Sequence, residues 1–207
     1  FRSQSRGGKG SSGLKMKVED MVHTIVSANT HDTLLVFTNM GRVFKMRAFE
    51  IPEASRQAKG TAMVNLLNLK PEESAQSILA INEKDDREKF ITLTTRKGLI
   101  KKTAVKLFDN IRQNGIIAIM LNDDDELVWG KLTSGTDDIL LISEQGKCIR
   151  FSEEEVKPSN RDTKGVKGIT LRANDKVIGV EYMTKAEKNN PDKQLLVITQ
   201  NGMGKRR

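Results

Sequence analysis

Four short stretches of the chain are apolar without the 3.6-residue spacing of a helix: Leu34 to Thr38, Phe90 to Thr94, Ile139 to Ser143 and Leu195 to Thr199. Their brevity and β-branched content predict buried strands. Each is followed by a glycine, Gly41, Gly98, Gly146 or Gly202, and glycine accepts the positive φ of a tight hairpin turn. A second strand is predicted after the glycine, as at Arg42 to Met46 and Lys147 to Phe151. A polar loop comes next: Arg56-Gln57-Ala58-Lys59-Gly60, Arg112-Gln113-Asn114-Gly115 or Arg161-Asp162-Thr163-Lys164-Gly165. Third strands are predicted over Met63 to Leu67, Ile116 to Leu121 and Gly168 to Leu171. Fourth strands are predicted over Ser77 to Ile81, Glu126 to Leu132 and Lys176 to Tyr182. Four short strands recurring every ~50 residues are the pattern of propeller-like blades. The predicted class is all-β.

Whole units occupy residues 32–84, 87–134 and 137–186. Residues 1–31 match the second half of a unit, and 193–207 the first half of another. A single β domain over 1–207, part of a longer protein, is the resulting expectation, its two half units either closing one ring or belonging to a longer array.

Charge adds a partner to this picture. Lys and Arg number 35 against 27 Asp and Glu, a formal net charge of +8, which favours a polyanion. Aromatic residues make up only 4%, too few to grip single strands by base stacking. Duplex DNA held by its phosphates fits better. The cations are also periodic. Aligned on the turn glycine, one column reads Lys45, Lys102, Arg150 and Arg206; the polar loops give Arg6, Arg56, Arg112 and Arg161, with Lys9, Lys59 and Lys164 beside them. Repeated on one rim, such columns form a positive track for DNA. The plainer alternative is that they solvate hairpin edges and discourage edge-to-edge pairing. A scaffold for acidic protein surfaces is the other functional reading.

Other chemistry finds little support. Cys148 is the sole cysteine, which excludes an internal disulfide and a cysteine-based zinc site. No run approaches the ~20 apolar residues of a membrane span, and residues from Phe1 onward lack a signal-like core, so a soluble intracellular protein without membrane contact is expected. Arg6 to Gly10 lacks the spacing of a nucleotide phosphate loop. His23 and His31 read as surface residues, and Asp123-Asp124-Asp125 and Glu153-Glu154-Glu155 as solvated turns. Tyr182 reads as core, and Trp129 as packing between blades. No catalytic set and no metal site are expected.

The heptad Gln4-Ser5-Arg6-Gly7-Gly8-Lys9-Gly10 resembles the box Gln-basic-Arg-Gly-Gly-basic-Gly of the C-terminal domain of bacterial DNA gyrase A. The resemblance extends along the chain through Asn29-Thr30-His31-Asp32, Lys101-Lys102-Thr103 and Thr199-Gln200-Asn201-Gly202. Ser5 departs from it, where the family carries Lys or Arg. The resemblance implies a β-pinwheel, a disc of blades that exchange strands with their neighbours. It also implies a non-catalytic role, with duplex DNA bent around a basic rim so that the holoenzyme introduces negative supercoils. On this resemblance the domain itself takes no cofactor, ATP and magnesium serving the holoenzyme. The implied partners are double-stranded DNA, the remainder of DNA gyrase A and the DNA gyrase B protein, in the bacterial cytoplasm at the nucleoid. The equivalent topoisomerase IV domain is the alternative, which the heptad disfavours. Gly7 and Gly8 allow close backbone approach to phosphate while Arg6 and Lys9 add charge.

Overall fold

The computed structural model describes residues 23–55, 58, 60–188, 190, 192–199 and 201–206. Its strands, in chain order, are β1 (Thr33–Thr38), β2 (Arg42–Arg47), β3 (Ala75–Ile81), β4 (Phe90–Thr95), β5 (Leu99–Ala104), β6 (Ile116–Ile117) and β7 (Leu127–Thr133). They continue with β8 (Asp138–Ser143), β9 (Cys148–Ser152), β10 (Val166–Lys167), β11 (Val177–Met183), β12 (Leu196–Ile198) and β13 (Gly204–Arg206). The four turn glycines have φ values of 72, 82, 79 and 78° in chain order. Each amide closes its hairpin onto the carbonyl three residues back, as Gly41 N–H does on Thr38 at 3.0 Å.

The sheets are ordered β3-β1-β2-β6, β10-β5-β4-β7, β11-β8-β9 and β12-β13. The first two each borrow a strand from the following unit. β6 pairs antiparallel with β2, Ile117 opposite Arg42, and β10 pairs with β5, Val166 opposite Ile100. The borrowed strands are shorter than predicted. The Gly41 carbonyl takes the amides of both Ala118 and Ile119, and the Gly98 carbonyl those of Gly168 and Ile169. That doubling ends each ladder, so Ile116–Leu121 supplies two strand residues, while the strand predicted over Gly168–Leu171 is not formed and β10 lies just before it at Val166–Lys167. The segment predicted as a strand over Met63–Leu67 is instead a 3-10 turn at Met63–Asn65. No described strand lies beside it to complete a ladder, and its Leu67 is buried against Leu34, Val36, Phe44 and Met46.

The unbroken apolar runs reflect sheets covered on both faces. All six residues of β1 are buried. Leu35 and Phe37 join Ile91 and Leu93 of the second sheet in one core, while Leu34 and Val36 face the opposite way. A third core holds Ile100 against Ile139, Leu141 and Val177. Full burial of a side chain such as Phe37 contributes roughly 1.5–3 kcal/mol. Trp129 and Tyr182 pack against this third core, where burial pushes the Tyr182 phenol up.

In the acidic run at Glu153–Glu155, Glu154 and Glu155 are exposed as predicted, but Glu153 is not. Glu153 is fully buried, and its carboxylate accepts the Asp137 amide at 2.9 Å. Among the described residues, no helix is long and apolar enough to cross a membrane, and no three His, Cys, Asp or Glu side chains are grouped to hold a metal.

Candidate nucleic-acid interface

Two of the polar loops are docked on the preceding sheet by one backbone pattern. The loop of Arg112 turns at Gly115, whose amide meets the Arg112 carbonyl at 2.8 Å. Gly115 has a φ of 69°, and a Cβ there would lie 3.0 Å from the Phe44 ring and the Val43 carbonyl. Arg42 supports the loop from β2. Its guanidinium lies 4.8 Å from the centre of the Phe44 ring, pairs with the buried Glu73 carboxylate at 2.7 Å and donates to the Asn114 carbonyl. β6 follows and joins β2.

The loop of Arg161 leads into β10 and joins β5 in the same way. Its entry is fixed by the Ser159 amide on the Lys102 carbonyl at 2.9 Å. Within it, Thr163 Oγ1 donates to the Asn160 carbonyl at 2.8 Å. Gly165 lies so close to β5 that a Cβ would come within 2.8 Å of the Ile100 carbonyl oxygen. Lys164 is exposed, its Nζ 2.9 Å from Asn122 Oδ1.

These loops bring three predicted cations together. Lys45, Arg112 and Arg161 line one open groove of about 580 Å³, with Asp109, Asn110, Ile111 and Ile116. Each comes from a different repeat of the sequence. Lys45 Nζ donates to the Asp109 carbonyl at 3.1 Å and lies 3.8 Å from Glu83. Among the described residues, no carboxylate pairs with Arg112 or Arg161. Two free guanidiniums beside a lysine suit an extended anion, since bidentate donors match phosphate oxygens.

The column counted from the turn glycines is less uniform than its letters. Lys45 and Lys102 reach carbonyls of the following unit, at Asp109 and Glu153, whereas Arg150 meets Asp138 of its own hairpin. Lys102 is corrected by this geometry. It is only 4% exposed, its Nζ donates to the Glu153 carbonyl at 2.6 Å and it sits 5.2 Å from the Phe90 ring centre. It is a structural cation between two sheets and does not face solvent. Arg150 is exposed but engaged, with Nε and Nη2 both 2.8 Å from Asp138 Oδ2. Burial works to raise the Asp138 carboxyl, but hydrogen bonds from Lys188 and Arg150 outweigh it and hold the group below the usual carboxylate range. Arg206 is exposed on β13, opposite Leu196. Gln4, Arg6, Gly7, Gly8, Lys9 and Gly10, together with Arg56 and Lys59, lie outside the described residues.

Sequence reasoning passed over Lys101. It is 1% exposed, and its Nζ donates to backbone carbonyls of Ala118 and of the Arg161 loop. A signal was present: two adjacent lysines in an alternating strand must point to opposite faces, so a strand buried on both sides hides both.

The family model described as the DNA gyrase C-terminal domain, a beta-propeller, matches residues 1–29, 32–82, 89–134, 137–182 and 193–207. The DNA gyrase A protein of Staphylococcus aureus strain MRSA252 is 42% identical over 206 residues, which is 100% of this chain and 23% of that protein. The chain therefore spans about a quarter of the length of such relatives. The solved C-terminal domain of a DNA topoisomerase IV superposes with a TM-score of 0.79 at 28% identity, covering 94% of this chain and 58% of that one. A solved DNA gyrase A C-terminal domain gives 0.69, also at 28% identity, over 94% of this chain and 61% of that one. With the family model matched in five segments that cover most of its residues, the chain belongs to the DNA gyrase C-terminal domain family.

Proposed function

We propose that the chain is the DNA-wrapping part of a DNA gyrase A protein, binding duplex DNA by its phosphates and bending it across successive loops. The convergence of Lys45, Arg112 and Arg161 on one groove carries the reading. Three repeats contribute to it, so a backbone crossing the groove meets cations from successive units in turn. Lys164 extends the same surface, and the Gln4 to Gly10 heptad, Arg56, Lys59, Arg150 and Arg206 are assigned to it on their sequence positions. Residues 1–31 and 193–207 act as half units of one pinwheel. The segment contributes no catalytic group of its own. Within the holoenzyme, the wrap presents a DNA segment for ATP- and magnesium-dependent strand passage with DNA gyrase B, in the bacterial cytoplasm. The high TM-score to the topoisomerase IV domain favours a second reading, as that enzyme's domain. The Gly-Gly heptad and the 42% identity to DNA gyrase A over the whole chain support gyrase instead.

Affinity measured on duplexes of increasing length tests the proposal. Wrapping predicts affinity that rises up to ~100 base pairs and falls steeply with salt. Saturation at about 20 base pairs would leave simple binding and refute wrapping. Topology of bound, relaxed plasmid separates the two enzymes, a handed linking-number shift supporting gyrase.

A further inference from the structure

The contacts of Lys101 converge on the candidate DNA surface, although the residue itself never reaches it. Its position on β5 lies opposite Leu93 of β4, in an interior where an uncompensated ammonium is costly. Compensation is complete. Nζ donates to the Ala118 carbonyl at 2.8 Å, to the Thr163 carbonyl at 3.2 Å and to the Arg161 carbonyl, one for each of its three N–H groups. The Thr163 carbonyl also accepts the Met120 amide at 3.1 Å. The loop thus turns its carbonyls inward at Arg161 and Thr163, around one cation, and Gly165 clamps its far end against the backbone of β5.

We propose that Lys101 is the positioning residue of the Arg161 loop, gathering the carbonyls of Ala118, Arg161 and Thr163 on one ammonium and so fixing how Arg161 and Lys164 face DNA. The inference rests on the DNA-binding reading above. It also makes this loop sensitive to pH. Burial pulls the Lys101 pKa down to about 8; Asp162 opposes that shift and Arg161 adds to it. Both charges stand on the loop itself, while β4 presents Leu93 and the segment after β6 presents the Ala118 carbonyl, neither of which titrates. A neutral amine has two N–H groups for three carbonyls, so the loop loosens as pH rises through 8. Global stability moves the other way. The unfolded lysine binds its proton more tightly than the folded one, so this residue's contribution to stability rises between about 8 and the ordinary lysine value of 10.5. Simple alkaline weakening of the fold would have the opposite sign.

The test uses the intact protein, with Lys101→Met to keep length without charge, Lys101→Arg to keep charge, and Arg161→Ala, alone and with Lys164→Ala. On long duplex at about pH 7, Lys101→Met is expected to lose severalfold in affinity, and in a background of Arg161→Ala with Lys164→Ala it should cost nothing further. Lys101→Arg recovers part of the loss. Between about pH 7 and pH 9 the unsubstituted protein loses a similar factor, while Lys101→Met is flat. Additive losses, or a pH profile unchanged by Lys101→Met, overturn the proposal. Amide exchange of residues 161–165, corrected for intrinsic base catalysis, gives an arm independent of DNA and of the variants' folding. It must accelerate through pH 8 in the unsubstituted protein, and a constant rate overturns the proposal. If that acceleration occurs while Arg161→Ala leaves DNA affinity unchanged, the positioning stands and the DNA reading of this loop fails.

Discussion

Against the loop at Arg112–Gly115 lies an aromatic ring; against the loop at Arg161–Gly165 lies an ammonium. Backbone docking is shared: a short strand on the preceding hairpin, then two successive amides on the turn-glycine carbonyl. The difference arises three residues past the turn glycine, at Phe44 in one unit and Lys101 in the next. Phe44 holds its loop by contact with Gly115, and Arg42 adds a polar tie to Asn114. Lys101 holds its loop by hydrogen bonds alone. Identical topology therefore does not imply identical mechanics. A contact between ring and backbone is indifferent to pH, whereas a cation shared among carbonyls depends on its proton.

The comparison breaks most severely at Phe44. Its ring is 1% exposed, and Phe44→Ala should cost about 3–5 kcal/mol by urea unfolding, with amide protection lost at residues 114–117 and kept at 161–165. A cost under about 1 kcal/mol would mean the ring is not what holds this loop. The two loop glycines come next. Gly115→Ala combines positive φ with a tight contact to the Phe44 ring and should cost about 2 kcal/mol. Gly165→Ala meets the Ile100 backbone, which cannot rotate away, so about 1–2 kcal/mol is expected together with displacement of the loop. Its larger effect is predicted on DNA affinity, and binding equal to the parent protein would contradict that. Smallest in stability are Arg112→Ala and Arg161→Ala, each within about 0.5 kcal/mol of the parent. Each should lower the slope of log affinity against log salt by about one, if each releases one phosphate counterion. An unchanged slope for either places that guanidinium off the DNA path.

The hairpins were plain in the sequence because β1, β4 and β8 are covered on both faces, which writes them as uninterrupted apolar or threonine-rich runs. Gly41, Gly98, Gly146 and Gly202 were equally legible, since few other residues accept their φ. The cation column was legible as a pattern but not as an environment. Lys45, Lys102, Arg150 and Arg206 share a register, yet their surroundings differ: the Glu153 turn of the following unit closes over Lys102, while Arg150 keeps solvent and meets Asp138 of its own hairpin. Long-range packing of that kind leaves no trace in local spacing. Met63–Leu67 misled for a related reason: its apolar letters serve a core contact through Leu67, and strand character requires a neighbouring edge, not only β propensity.

Strand exchange has a consequence for how the molecule is made. Because β6 completes the sheet of β1–β3, and β10 that of β4, β5 and β7, neither sheet is finished when its own stretch of chain leaves the ribosome. Each waits, with the outer edge of its second strand open, until the following loop has been synthesised. At a few to ~20 residues per second, that delay lasts seconds, during which each new unit is templated by the one before it. Assembly should therefore advance as a zipper from the amino-terminal side, and a premature stop within these units strands one half-dressed sheet at the growing end.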